Sequence, residues 1–156
     1  MTLIALDDAS FAALNGGDSL AGFAVIDGNV APPSVLQMLR DLAAAIRPAF
    51  SPCAWAMMEE GVVLGLLSVV KPPAGDGAIE IGYGVAQACR GRGVCRRAVA
   101  DLMRWAQEDG RVRLIRAETG IDNPASQRVL AVNGFTITGE RTDAEDGELL
   151  VWERPV

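Results

Sequence analysis

Ala78-Ile79-Glu80-Ile81-Gly82-Tyr83-Gly84-Val85-Ala86 runs through Gln87-Ala88-Cys89 into Arg90-Gly91-Arg92-Gly93-Val94-Cys95. The first segment reads as a strand. After the turn, Val94, Ala98, Leu102, Trp105 and Ala106 recur at helical spacing, predicting a helix from about Gly93 to Glu108 that Gly110 closes. A glycine-rich passage from strand to helix makes an anion site. Its glycines let the backbone approach closely, and the first N–H groups of a helix have no internal acceptor. They lie at the positive end of the helix dipole. Arg90, Arg92, Arg96 and Arg97 add positive charge, which points to a phosphate-bearing ligand. The plain alternative is a tight turn with solvated arginines. Two familiar phosphate motifs do not fit: there is no GxxxxGK followed by Ser or Thr, and Arg96 stands where a dinucleotide fingerprint needs its third glycine.

Working outward, Val112 to Glu118 predicts a strand, and Asn123-Pro124 opens a second helix with Asn123 as N-cap and Pro124 at its first position. Asn133-Gly134 ends it, and Phe135 to Glu140 and Leu149 to Glu153 are two more strands joined through Asp143 to Gly147. Before the turn, Ala54 to Met58 and Val62 to Val70 form a hairpin around Glu59-Glu60-Gly61, followed by a loop from Lys71 to Gly77. The order β-β-β-α-β-α-β-β indicates an α/β fold with a mixed sheet and helices packed on it. In the first third, Pro32-Pro33 starts a helix whose apolar face is Val35, Leu36, Leu39, Leu42, Ala43 and Ile46. Asp8 to Leu14 reads as a short helix, Gly22 to Ile26 as a strand and Asp27-Gly28 as a turn.

The 156 residues predict one domain, and the hydrophobic half of them is enough for a core. A net charge of −6 makes the chain a poor candidate for non-specific nucleic-acid binding. With no histidine, His-based triads are ruled out and a metal site is not expected. Cys53, Cys89 and Cys95 lack CxxC spacing, no basic region precedes the apolar N-terminal residues, and Val62 to Val70 is too short to cross a bilayer. These features predict a cytoplasmic chain with reduced thiols and no membrane partner.

Arg90-Gly91-Arg92-Gly93-Val94-Cys95 resembles the GNAT acetyltransferase motif Gln/Arg-x-x-Gly-x-Gly/Ala, with Cys95 in place of the final small residue. Asn123-Pro124-Ala125-Ser126-Gln127-Arg128 through Asn133-Gly134-Phe135 is similar to the Asn-x-x-Ser…Gly-Phe helix of the branch that holds ribosomal-protein N-terminal acetyltransferases. The likeness runs from Met57 to Trp152, while residues 1–50 match poorly. The resemblance implies a single GNAT-like domain, with a mostly antiparallel central sheet and helices on both faces. It implies acetyl-CoA as co-substrate, no metal, and transfer of the acetyl group to a primary amine by direct attack in a ternary complex. The acceptor would be a protein N-terminus or a small-molecule amine, and the chain a monomer or homodimer. The turn Arg90, Gly91, Arg92, Gly93, Val94 and Cys95 would hold the pyrophosphate, Val85 and Asn123 the pantetheine arm, and Ser126 would also touch the cofactor.

For catalysis, Glu80 is the expected base. By alternation it shares a strand face with Gly82 and Gly84, whose missing side chains leave room for substrate. Tyr83 points to the other face and reads as packing first, acid second. Many relatives place a tyrosine acid where Leu130 stands, so Ser126 is the substitute the branch implies. The alternatives are a catalytically inactive acyl-CoA-binding or sensor domain, and a phosphate-binding protein unrelated to coenzyme A.

Overall fold

A computed structural model of the chain describes residues 1–20, 22–26 and 29–156. The expected Asp27-Gly28 turn lies outside the described residues. The elements are β1 (Thr2–Ala5), α1 (Asp8–Gly16), β2 (Ala24–Val25), α2 (Pro33–Ile46), β3 (Ala54–Glu59), β4 (Val62–Lys71) and β5 (Ala78–Val85). A single 3-10 turn (Gln87–Cys89) leads to α3 (Val94–Asp109), β6 (Leu114–Gly120), α4 (Pro124–Val132), β7 (Thr136–Asp143) and β8 (Gly147–Pro155).

The strands form one mixed sheet in the order β1-β3-β4-β5-β6-β8-β7, with the short β2 running parallel to β4 off this path. Along the path only β5 and β6 are parallel neighbours, joined by the α3 crossover; the rest pair antiparallel. The second two-thirds follows the order read from the sequence. The first third differs from it. Thr2–Ala5 is an edge strand on β3, and the strand expected over Gly22 to Ile26 is only two residues long. The β3–β4 hairpin turns at Glu60 and Gly61, both at positive φ, which suits the right-handed twist of the strands it joins. Lys71, expected in a loop, ends β4 beyond a bulge and stands opposite Glu80.

Paired residues on neighbouring strands share a face. Trp55, Leu67 and Tyr83 are successive partners across β3, β4 and β5. Trp55 meets Trp105 of α3 edge-on, their centroids 4.9 Å apart, and the Tyr83 hydroxyl reaches α4, so α3 and α4 cover this face. The other face of β3 and β4 is covered by α2, against which α1 packs: Ala54, Ala56, Leu64 and Leu66 lie there, and the Cys53 thiol donates to the Ala43 carbonyl of α2 at 3.6 Å. Helices therefore lie on both faces. The expected apolar face of α3 is seated in the core, with Val94, Ala98, Leu102 and Ala106 buried and Trp105 partly so. Over β5, β6, β8 and β7 the second face carries ion pairs instead, Arg116 with Glu153 and Arg141 with Glu118. No helix among the described residues is long and apolar enough to cross a membrane.

Candidate active site

The sheet opens at one place. β5 and β6 pair from Ala78↔Leu114 to Ile81↔Ala117 and no further. β5 continues on β4 to Val85, and β6 continues on β8 to Gly120. The two parallel strands therefore diverge, and the facing edges of Gly82 to Val85 and Glu118 to Gly120 have no partner strand. Gly65 is what lets the end of β5 follow β4. A Cβ there would stand 2.4 Å from the Gly84 carbonyl oxygen. The opening is a cleft of about 400 Å³. Gly82, Tyr83, Asn123 and Ser126 line it together with the carboxylates of Glu118, Asp122 and Asp146.

The glycine-rich turn stands at the end of the β5 wall. Gly91 and Gly93 have φ of 74° and 71°, the left-handed region that other residues enter at a penalty of about 1–2 kcal/mol. Through this path the backbone turns into α3 with its first amides unpaired. None of the N–H groups from Gly91 to Arg96 donates to another described residue; the first helical bond outside the regular ladder is Arg97 N–H to the Gly93 carbonyl. Arg90, Arg92 and Arg96 are exposed, and no carboxylate among the described residues pairs with them. Arg97 differs. Its guanidinium grips Glu59 through two 3.0 Å bonds and donates to the Arg92 carbonyl at 3.0 Å, so it braces the turn from behind. Three of the four sequence-predicted arginines thus face solvent around an unfilled set of donors, an arrangement that fits a phosphate-bearing ligand.

Of the expected site residues, Asn123 and Ser126 line the cleft and Glu80 does not. Asn123 caps α4 as expected: its Oδ1 accepts from Ser126 N–H at 3.1 Å, which leaves its amide nitrogen available. The Tyr83 hydroxyl donates to the Ser126 carbonyl oxygen at 3.3 Å, joining the β5 wall to the α4 wall. Burial pushes the Tyr83 phenol up to about 12, with the nearby Cys95 adding to the shift. Cys95 is half-buried in the first turn of α3, and burial pushes its thiol up to about 11. It is a protonated packing residue at neutral pH and a poor nucleophile. Leu130 is the fully buried residue of α4.

Glu80 lies on the face opposite Tyr83 and does not line the cleft. It is paired at 2.7 Å with Lys71, whose side chain is mostly exposed. By alternation it shares that face with Gly82 and Gly84, as expected, and a Cβ at Gly84 would meet open space. Glu118 is the carboxylate on the same face that does reach the cleft. Both its oxygens accept from Arg141 at 2.7 Å, and this pairing holds its carboxyl below the usual range. Sequence reasoning missed Glu118, Asp122 and Asp146 as site residues. They sit near the end of β6, just past it and in the β7–β8 turn, and no local motif marks them.

A sheet that opens between two parallel strands, beside a helix start with unused amides, is a mixed α/β fold with a place for a phosphate-bearing ligand. The chain belongs to the GNAT acetyltransferase family: residues 4–136 match the model of the acetyltransferase (GNAT) domain. It is similar to the ribosomal-protein-serine acetyltransferase of Escherichia coli (strain K12), with 27% identity over 89 residues, 57% of this chain. The chain spans only half the length of that curated relative in the match. Among solved structures, RimL ribosomal L7/L12 alpha-N-protein acetyltransferase in complex with coenzyme A superposes with a TM-score of 0.73 at 20% identity, covering 99% of this chain and 93% of that one. The microcin C7 self immunity acetyltransferase MccE, in complex with acetyl-CoA and AMP, gives 0.71 at 15% identity, covering 99% and 92%. A chimera of the spermidine N-acetyltransferase SpeG from Vibrio cholerae gives 0.72 at 12% identity, covering 99% and 96%.

Proposed function

We propose that the chain is an acetyl-CoA-dependent N-acetyltransferase that passes the acetyl group directly to a primary amine, with both substrates held in the β5–β6 cleft. The observation that carries this reading is the divergence of β5 from β6 after Ile81↔Ala117, beside a helix start whose amides are unused. In this reading the N–H groups of Gly91 to Cys95 and the exposed Arg90 and Arg92 take the pyrophosphate. The open edge of β5 up to Val85 pairs with the pantetheine arm as an added strand would, and the Asn123 amide meets it from α4. The thioester then lies between Tyr83 and Ser126.

The amine enters on the side of Glu118, Asp122 and Asp146, whose charges favour a cation. Its nitrogen must lose a proton before it attacks the thioester carbonyl carbon; the C–S bond then breaks and the thiolate leaves. Two carboxylates on the acceptor face divide the work. Glu118 is clamped by both arms of Arg141, which suits it to hold an ammonium and not to accept a proton. Glu80 has one contact, to an exposed lysine that can swing away, and takes the amine proton through water. The Tyr83 hydroxyl, still protonated far above neutral pH, and the Ser126 hydroxyl are the groups that can protonate the departing thiolate.

The similar proteins act, by their names, on ribosomal-protein N-termini and on spermidine. The acceptor proposed here is accordingly a protein N-terminus or a small cationic amine, encountered in the cytoplasm. A screen of peptide N-termini, amino acids and polyamines with acetyl-CoA tests this, read by product mass and by free thiol. The expected result is one acceptor class that gains one acetyl group per thiol released. Binding of acetyl-CoA with no thiol released across the panel would instead identify an acyl-CoA sensor. Glu80→Gln is expected to lower kcat by about 100-fold with acetyl-CoA affinity unchanged, and Glu118→Gln to raise the acceptor KM. Unchanged turnover of Glu80→Gln across pH would remove Glu80 from the mechanism.

A further inference from the structure

A second cavity, of about 480 Å³, shares no lining residue with the cleft. It lies along α3, toward the C-terminal end of α4. Arg97, Arg104 and Arg154 converge on it, Asp101 is its lone carboxylate, and Met103 forms part of an apolar wall. In a chain of net charge −6, three guanidiniums around one cavity are a local reversal of sign. Asp101 already pairs with Arg104, one turn away on the same helix. Arg97 is engaged by Glu59. Arg154 has no carboxylate partner among the described residues and spends one nitrogen on the Asn133 carbonyl at the end of α4. The cavity therefore keeps an excess of positive charge around a partly apolar wall. Guanidiniums recognise oxyanions bidentately, and an apolar wall takes the body that carries the anion.

We infer that this cavity is a binding site for a small organic oxyanion, a phosphate or carboxylate head on an apolar body, separate from the acetyl-CoA cleft. The site is also wired to the glycine-rich turn. Arg97 lines the cavity, and its guanidinium also holds the Arg92 carbonyl. An anion that draws Arg97 toward the cavity loosens that brace, and occupancy changes acetyl-CoA affinity by about fivefold, within the ordinary range of coupling between sites.

The test is calorimetric titration of phenyl phosphate and of benzoate into protein saturated with coenzyme A, so that the turn is already filled. Coenzyme A binding is measured first, and its failure would count against the cleft and not against this site. One site per chain is expected for at least one probe; the tighter of the two identifies the head group. Arg154→Gln and Arg104→Gln should each weaken that binding by about tenfold or more while coenzyme A affinity stays as in the parent. Arg104 is largely exposed, so its variant keeps the test valid if Arg154→Gln does not fold. Heat from neither probe, or equal binding by parent and both variants, would overturn the assignment. Acetyl-CoA affinity that is the same with and without the bound probe would overturn the coupling through Arg97.

Discussion

Tyr83 stands where the sheet opens, and its position explains two different measurements. Its phenol is harder to ionise in the folded chain than in the unfolded one, because burial penalises the charged form. The stabilisation this represents is whole below pH 10 and is lost as pH rises towards about 12. Cys95 behaves alike, from its ordinary value of 9 up to about 11. The parent chain should therefore lose stability in alkali across these windows, at about 1.4 kcal/mol per pH unit for each group. Urea unfolding followed from pH 8 to 11.5 should show Tyr83→Phe falling less steeply than the parent above pH 10. Parallel curves would mean that the phenol is not buried as described. In turnover, Tyr83→Phe is expected to lower kcat by about 100-fold if the phenol protonates the thiolate, and Tyr83→Phe with Ser126→Ala to lower it further. The sequence placed Tyr83 on the face opposite Glu80 by strand alternation, and β5 is regular enough there for that to hold. It could not show that Tyr83 meets Ser126, because their 43-residue separation is closed only by the crossover of α3.

α4 forms one wall of the cleft, and its two ends are tied to the elements on either side. Gln127 donates to the carbonyls of Gly120 and Ile121 at 3.0 and 3.1 Å, which fixes the loop leaving β6. Asn133 donates to the Arg96 carbonyl at 3.1 Å and to the Val129 carbonyl at 2.8 Å, which fixes the helix to the first turn of α3. The Asn133 side chain is buried, so Asn133→Ala removes a donor from two carbonyls out of water. It is expected to destabilise the fold by about 1–3 kcal/mol and to weaken acetyl-CoA binding, because the turn and the α4 wall are no longer held together. Thermal unfolding with and without acetyl-CoA checks both effects; a variant that melts and binds as the parent does would show the tie to be idle. The sequence displayed the start and stop of this helix clearly, through Asn123-Pro124 and Asn133-Gly134. It displayed Asn133 only as a stop signal. The bridging role depends on which carbonyl of α3 lies within reach, and that is a fact of packing.

Across the whole molecule, the readable part was the half built from short-range signals: the Glu60-Gly61 hairpin, the glycine-rich turn, the capped helices and the strands between them. The individual residues of the proposed acceptor side carry no motif. Glu118, Asp122 and Asp146 come from a strand end and two loops, and only the order β6-β8-β7 at the sheet edge gathers them. β1 was missed because four residues ahead of a helix carry little periodic signal. Every part of the functional reading depends on the glycine-rich turn as the anchor of the ligand beside the divergent strands. Gly93→Val tests that anchor. At a φ of 71° valine is strained, and a Cβ there would stand 3.3 Å from the Arg97 guanidinium that braces the turn. Calorimetric titration with acetyl-CoA should give one site per parent chain and an affinity weaker by about tenfold or more in the variant, with the fold retained by circular dichroism. Equal affinity in a folded Gly93→Val chain would contradict the placement of acetyl-CoA on this turn.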